Sequence, residues 1–146
     1  MVTLIVVPTP QALSVMKNLS AFALIAVSLF VSLADGQSDA ALRTVTEKDA
    51  TSRDARGKLS PLTAAEHAAR AQVYLDNREF PEAREHAQQI IELYPTAPEF
   101  GHALFIEGRS YMWEREYAKA IPYLDRVAKE FPGTKDGREA LAFSGA

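Results

Sequence analysis

The chain of 146 residues has no cysteine and no large excess of charge of either sign. The first absence excludes disulfide bonds, thiolate metal sites, cysteine nucleophiles and a lipid-modified cysteine. The positive and negative charges nearly balance, since 16 basic and 19 acidic residues give a formal net charge of -3. Because nucleic-acid-binding proteins need a basic surface to neutralise phosphates, this composition argues against nucleic acid as a partner.

Sequence signatures of catalysis are also missing. There is no Gly-rich phosphate loop, no Gly-x-Ser-x-Gly motif and no acid/base pair that stands apart from the other charged residues. His67, His86 and His102 fall on different predicted helices without the His-x-x-x-His spacing of a metal site, so we expect them to be solvated or helix-capping. We therefore predict no catalytic residue, no metal ion, no cofactor and no enzymatic activity.

An apolar run near the amino terminus has the features of a secretory signal. Lys17 precedes the apolar residues 21–33, and the small residues Ala34 and Gly36 follow them. A run of about 13 residues is short for a membrane span, which takes about 20. The pattern predicts a cleaved signal over residues 1–36, and a buried helix or an uncleaved anchor is the alternative.

The predicted signal has its best start at Met16. Residues 1–15 carry no charge and contain two prolines, which is unusual for the first part of a signal. We expect export to the periplasm or cell envelope, with no membrane span once the signal is removed.

The segment after the signal is predicted to be a disordered linker. Residues 37–62 are rich in Asp, Thr, Ser, Arg and Lys. They contain no aromatic residue and no apolar stripe at helical spacing, so they offer little surface to bury.

From residue 71 onward, residues of the same kind recur at a fixed offset of 37. The matching pairs are Ala71 and Gly108, Tyr74 and Tyr111, Phe80 and Tyr117, Ala83 and Ala120, and Pro95 and Pro132. Small side chains let the two helices of a hairpin approach closely, and the aromatic side chains fill the space beside that contact.

Each repeating unit reads as two helices. Thr63 and Glu66 have the spacing of a capping box that opens the first helix, and Pro95 stops the second. The predicted helices cover residues 64–76, 80–93, about 99–114 and 117–130, in units that span 63–95 and 99–132, with a partial third unit at 135–146. The predicted fold is therefore all-α, with two tandem antiparallel hairpins and the start of a third.

These positions resemble the tetratricopeptide repeat, which has a small residue at its eighth place, Tyr at the eleventh, an aromatic at the seventeenth, Ala at the twentieth and Pro at the thirty-second. Counted from Ala64 and from Gly101, both units carry all five. They depart from the family at the seventh place, usually Leu, which holds Arg70 and Glu107. With its longer period and predicted export, the chain resembles the envelope proteins of the BamD-like outer-membrane assembly and Tol-Pal coordinator type.

The resemblance implies a scaffold that binds a protein or peptide in a concave groove lined by the first helix of each unit. The family's groove places hold Ala65, Ala68, Gln72, Leu75 and Asp76 in one unit, and His102, Phe105, Arg109, Met112 and Trp113 in the other. We expect Phe105, Met112 and Trp113 to seat an apolar side chain while Arg109 pairs with a carboxylate. Alternatively, Phe105 and Met112 pack against a third unit and Trp113 covers the tip of the hairpin.

Three functions remain open on the sequence. The first is an envelope adaptor that binds a partner in the groove. The second is an assembly subunit whose uncapped carboxy-terminal face, around residues 139–143, pairs with itself or with another repeat protein. The third is the truncated recognition arm of a larger protein.

Overall fold

The computed structural model describes residues 39–143, which form six α-helices. They are α1 (39–52), α2 (Ala64–Asp76), α3 (Phe80–Leu93), α4 (Phe100–Trp113), α5 (Tyr117–Glu130) and α6 (Lys135–Phe143). Within these residues the β-structure consists of one isolated antiparallel bridge, between Arg53 and Leu59. The prediction of an all-α fold of tandem helical hairpins is confirmed.

Local hydrogen bonding explains where the hairpin helices begin and turn. The Glu66 backbone amide donates to the Thr63 hydroxyl at 3.2 Å, and the Thr63 amide donates to the Glu66 carboxylate at 2.9 Å, which completes the predicted capping box. The turns inside the hairpins pass through Arg78 and Arg115, both with φ of 64°. This left-handed backbone conformation reverses the chain within three residues. The observed hairpin helices match the predicted ones to within one residue at each end.

The helices stack in two layers. Each of α2 to α5 contacts the helix that follows it, and contacts also join α2 to α4 and α4 to α6. The helices of the other layer, α3 and α5, do not contact each other. Because the layer whose helices lie closer together is on the inside of a curved stack, α2, α4 and α6 form the concave side.

The small residues of the repeat allow the close approach that their type predicts. Ala71, Ala83 and Ala120 are fully buried. A Cβ atom added to Gly108 of α4 would lie 2.7 Å from side-chain atoms of Leu124 in α5. That distance is shorter than carbon atoms tolerate, so a larger residue at the eighth place would have to displace the Leu124 side chain.

The predicted disordered linker is wrong for residues 39–59. Residues 39–52 form α1, and the following turn is closed by the Arg53 to Leu59 bridge. Leu42 and Val45 pack against the first hairpin, and the buried Asp49 continues the same helix face. Two aliphatic residues are too few to form a recognisable apolar stripe in the sequence. The burial of Asp49 could not be predicted either, because it depends on partners far along the chain. The predicted signal at 1–36 and the start at Met16 lie outside the described residues.

Candidate functional site: the inner layer around Trp113

Trp113 lies in the last turn of α4 and is 41% exposed. The guanidinium carbon of Arg109 lies 4.6 Å from the indole centroid, and that of Arg78 lies 5.9 Å away. The Phe80 ring packs against the indole with 5.7 Å between centroids. These cation–π and aromatic contacts fix the orientation of the ring while leaving part of its surface open to a partner.

Arg109 connects this tryptophan to the next inner helix. Its Nη1 atom lies 3.1 Å from Oε1 of Glu139 in α6, and its guanidinium also lies over Phe105 at 5.6 Å. Its buried Nε atom has no hydrogen-bond acceptor among the described residues. Arg109 was predicted to pair with the carboxylate of a bound peptide, but in the structure it is already paired with Glu139 of the same chain.

His102 has a similar structural role. Its Nδ1 atom lies 2.6 Å from Oδ2 of Asp136, which places a second polar link between α4 and α6. The sequence had placed His102 and Arg109 in the groove as ligand contacts. In the structure both side chains instead bind α6, the third helix of the concave layer. Their partners, Asp136 and Glu139, were not recognised in the sequence because they lie 30 or more residues away along the chain.

The groove is smaller than the sequence predicted. Leu75 is fully buried and Phe105 is 2% exposed, so neither contributes contact surface. Phe105 belongs to the same apolar cluster as Ala140 of α6, as the alternative interpretation proposed. Met112 and Gln72 remain half-buried, and the Gln72 amide donates to Asp76 at 2.7 Å. Among the predicted groove residues, Ala65, Asp76 and Trp113 are exposed, and Trp113 is the large apolar side chain of the three.

Comparison with known protein families agrees with this geometry. Residues 102–134 match the family model of the tetratricopeptide repeat. The match covers the second hairpin, and tetratricopeptide repeats in general mediate protein–protein interaction. No curated protein and no solved structure matches the chain. No helix among residues 39–143 is long and apolar enough to cross a membrane.

The seventh place of the first repeat, Arg70, belongs to a buried polar cluster that joins α1 to the hairpin. Asp49 of α1 is 3% exposed and forms an ion pair with Arg70. The Tyr74 hydroxyl donates to Asp49 at 2.7 Å, and Nε2 of His86 lies 2.9 Å from the same carboxylate. Nδ1 of His86 lies 2.9 Å from Nδ1 of His67. The departure from leucine is therefore explained by a carboxylate on the preceding helix.

The prediction of solvated or capping histidines is wrong for His67 and His86, which are 0% and 1% exposed. Burial, together with the electrostatic influence of His86 and Arg70, lowers the pKa of His67 to about 4. Its Nε2 atom has no partner among the described residues. His67 is therefore neutral near pH 7, and one of its two nitrogens is left without a hydrogen bond.

Hydrogen bonding keeps Asp49 ionised in this cluster. Burial raises the pKa of the carboxyl, but hydrogen bonds from Tyr74, His86 and Arg70 outweigh it and leave the pKa below its usual value. Burial and the hydrogen bond to Asp49 raise the pKa of Tyr74 to about 12, so this phenol stays protonated and donates. Residues 39–143 contain no group of three His, Asp or Glu side chains arranged to hold a metal ion.

The seventh place of the second repeat, Glu107, lies in a different environment. It is 3% exposed, and burial raises its pKa to about 7, against the opposing charge of Arg84. Arg84 itself contacts Ser110 at 3.2 Å and lies 4.5 Å from the Tyr111 ring. The two repeats thus place residues of opposite charge type at the same position. Arg70 forms an ion pair with Asp49, whereas Arg84 forms its ion pair with Glu114 and acts on Glu107 only through its charge.

Proposed function

We propose that this chain is a protein-binding adaptor of the cell envelope, with the surface around Trp113 as its contact site. The observation that carries the proposal is the indole itself. A 41% exposed tryptophan, oriented by Arg78, Arg109 and Phe80, has the residue types that dominate binding energy at interfaces. A ring already fixed in place loses little side-chain entropy when a partner packs on it.

The chemistry of this surface favours a segment with an apolar side chain next to an acidic one. An apolar or aromatic group would pack on the open part of the Trp113 ring. The carboxylate would lie near the exposed Arg78, because the nearer guanidinium, that of Arg109, is already paired with Glu139. Tetratricopeptide repeats bind protein partners in general, which supports a peptide segment as the occupant.

A displayed library of random peptides tests this proposal. We expect selection on the wild-type chain to enrich peptides with an acidic residue next to an apolar one. The Trp113→Ala variant should bind these peptides at least about 10-fold more weakly, since truncation of such a residue costs more than about 1.4 kcal/mol. Leu93→Ala is the matched control, because Leu93 is 52% exposed on α3. Equal binding by the Trp113→Ala variant would exclude this surface.

The envelope location is a separate part of the proposal. It is supported by the apolar run at 21–33 behind Lys17, and it would place the partner among envelope proteins, as in the BamD-like and Tol-Pal coordinator types. Cell fractionation of a carboxy-terminally tagged chain, followed by amino-terminal sequencing, measures both export and cleavage. We expect an exported form that begins near Gln37, and a cytoplasmic, uncleaved chain would contradict it.

A further inference from the structure

The ion pair beside Trp113, between Arg109 and Glu139, has the geometry of a weak pair. A single contact joins the two side chains, from Nη1 to Oε1 at 3.1 Å, and they remain 27% and 28% exposed. Arg53 and Glu85, by comparison, pair through two hydrogen bonds of 2.7 and 2.6 Å. Two-point pairing is the stronger arrangement, and partly exposed single contacts contribute little to stability. The pair beside Trp113 is therefore easily exchanged for another.

The position of α6 does not depend on this pair. Nδ1 of His102 lies 2.6 Å from the Asp136 carboxylate, which gives α6 another polar link to α4. Ala140 is fully buried in the apolar cluster of α4 and α5. Gly137 packs so closely on the preceding turn that an added Cβ atom would overlap the Phe131 carbonyl. These contacts hold α6 in place without a carboxylate at position 139.

The repeat pattern does not require the pair either. The places of Arg109 and Glu139 hold Gln72 and His102 in the units that lie 37 residues earlier. The Gln72 amide donates to Asp76 in its own helix, so the equivalent contact between inner helices is not made there. Because neither the repeat nor the packing of α6 needs the pair, its role lies at the surface that it borders.

That surface has two cations, and Glu139 occupies one of them. The guanidinium carbon of Arg109 lies 4.6 Å from the Trp113 centroid, within reach of an acidic side chain on a segment that packs on the ring. The Glu139 carboxylate already lies there, and like charges oppose a second carboxylate at the same place. Arg78, whose guanidinium carbon lies 5.9 Å from the centroid, is exposed and remains open to a partner.

We propose that Glu139 competes with the carboxylate of a bound segment for Arg109 and so determines which segments the Trp113 surface accepts. This proposal rests on the proposed function of that surface. With Glu139 in place, the surface accepts one acidic residue, at Arg78, and a second acidic residue gains nothing. Without it, both cations are open. Two acidic residues two places apart in an extended segment stand about 7 Å apart, which suits two guanidinium groups on one ring.

Selection from a displayed library of random peptides tests the competition, on the wild type and on Glu139→Gln in parallel. Glutamine retains the shape of glutamate and removes its charge. We expect the wild type to enrich one acidic residue beside an apolar one, and the variant to enrich two acidic residues. Synthetic versions of the doubly acidic peptides, acetylated and amidated, should bind the variant about 5-fold more tightly than they bind the wild type. Fluorescence anisotropy measures this ratio.

Asp136→Asn is the matched control. It removes the same charge from the same helix and cuts the other polar link to α4, but it leaves Arg109 paired with Glu139. We expect it to bind the doubly acidic peptides as weakly as the wild type does. Hydrogen exchange at residues 135–143 checks that α6 stays folded in both variants. Adding Trp113→Ala to Glu139→Gln should abolish the gain, because the acidic residues are held next to the ring.

Three results would overturn the competition. One is the same peptide preference and affinity in the wild type and in Glu139→Gln. Another is an equal gain in Asp136→Asn, which would assign the effect to net charge or to a looser α6. The third is a gain that persists with Trp113→Ala. If the wild type binds its peptides through Trp113 while Glu139→Gln gains nothing, the proposed function stands and the competition alone fails. No enrichment on either chain would overturn both.

Discussion

Nε2 of His86 in α3 lies 2.9 Å from Oδ2 of Asp49 in α1, and both side chains are almost fully buried. This contact, together with those from Arg70 and Tyr74, fixes α1 on the first repeat. A buried carboxylate is tolerated when its partners surround it, and each partner depends on it in turn. The amino-terminal end of the stack is therefore held by polar contacts as well as by apolar packing.

Replacement of Asp49 by alanine should detach α1. The change leaves the buried donors of Arg70, Tyr74 and His86 without their acceptor, so we expect a loss of about 3–5 kcal/mol. Urea denaturation measures the loss, and hydrogen exchange should show it first at residues 39–52. Glu47→Ala, at an exposed position of the same helix, should change stability by less than about 0.5 kcal/mol. Equal effects of the two variants would contradict this role.

The contribution of His67 to stability should be lost in mild acid. The pKa of His67 is about 4 in the folded chain, below its ordinary value of 6.5, so between these values the unfolded chain binds a proton that the folded chain excludes. This contribution is complete above pH 6.5 and is lost as the pH falls toward 4, by at most about 1.4 kcal/mol per pH unit. Thermal unfolding of the wild type and of His67→Gln across this range measures the contribution as the difference between their slopes, because the other titrating groups are common to both. An unchanged slope in the variant would place the proton elsewhere.

The Glu107 side chain should contribute the opposite pH dependence, which Glu107→Gln removes. The folded-state pKa of Glu107, about 7, is raised above its ordinary value of 4.5, so the buried charge opposes folding progressively as the pH rises between these values. We expect the variant to gain about 1–3 kcal/mol at pH 8 and nothing at pH 4.5. Chemical denaturation of both proteins at the two pH values measures the difference. A gain at pH 4.5 as large as that at pH 8 would argue against the charge as the cause.

Two glycines near α6 make a matched pair. A Cβ atom on Gly137 would overlap the backbone carbonyl of Phe131, whereas one on Gly133 would meet no atom within 4 Å. Gly137→Ala should therefore displace α6 and cost about 1–3 kcal/mol or more. Gly133→Ala should be nearly neutral. Hydrogen exchange at residues 135–143 reports the displacement, and equal protection in the two variants would contradict it.

The turn at Arg115 tests the backbone directly. Its φ of 64° is unfavourable for a side chain with a Cβ atom, and more so for a β-branched one. Arg115→Val should cost about 1–2 kcal/mol, while Arg115→Gly should remain within about 0.5 kcal/mol of the wild type. Thermal unfolding compares the two. If valine and glycine were equivalent, the turn would not retain this conformation in solution.

Local features of the sequence were enough to predict the hairpin helices. The capping box at Thr63 and Glu66, the apolar spacing and the terminal prolines all act within a few residues, so the bounds of α2, α3 and α5 follow from them. The close approach at Gly108 could be predicted for the same reason, because a small residue between two predicted helices has few other uses.

The candidate site was predicted less well, because the exposure of a side chain depends on the helices around it. Trp113 is exposed as expected, but Phe105 is covered by the packing of α6 and α5. Arg78 was not singled out, although it lies beside Trp113, since it follows α2 while the tryptophan ends α4.

The sequence by itself determined the repeat, the helices of the hairpins and the small residues at their crossings, since these depend on short-range spacing. The tertiary structure decided which polar residues became buried partners. Arg70 and Glu107 stand at the same place in two repeats, yet Arg70 forms an ion pair with Asp49, whereas Glu107 is buried near the charge of Arg84. The surroundings of each depend on the helix that precedes it, and α1 packs on the stack where Asp49 contacts Arg70, Tyr74 and His86.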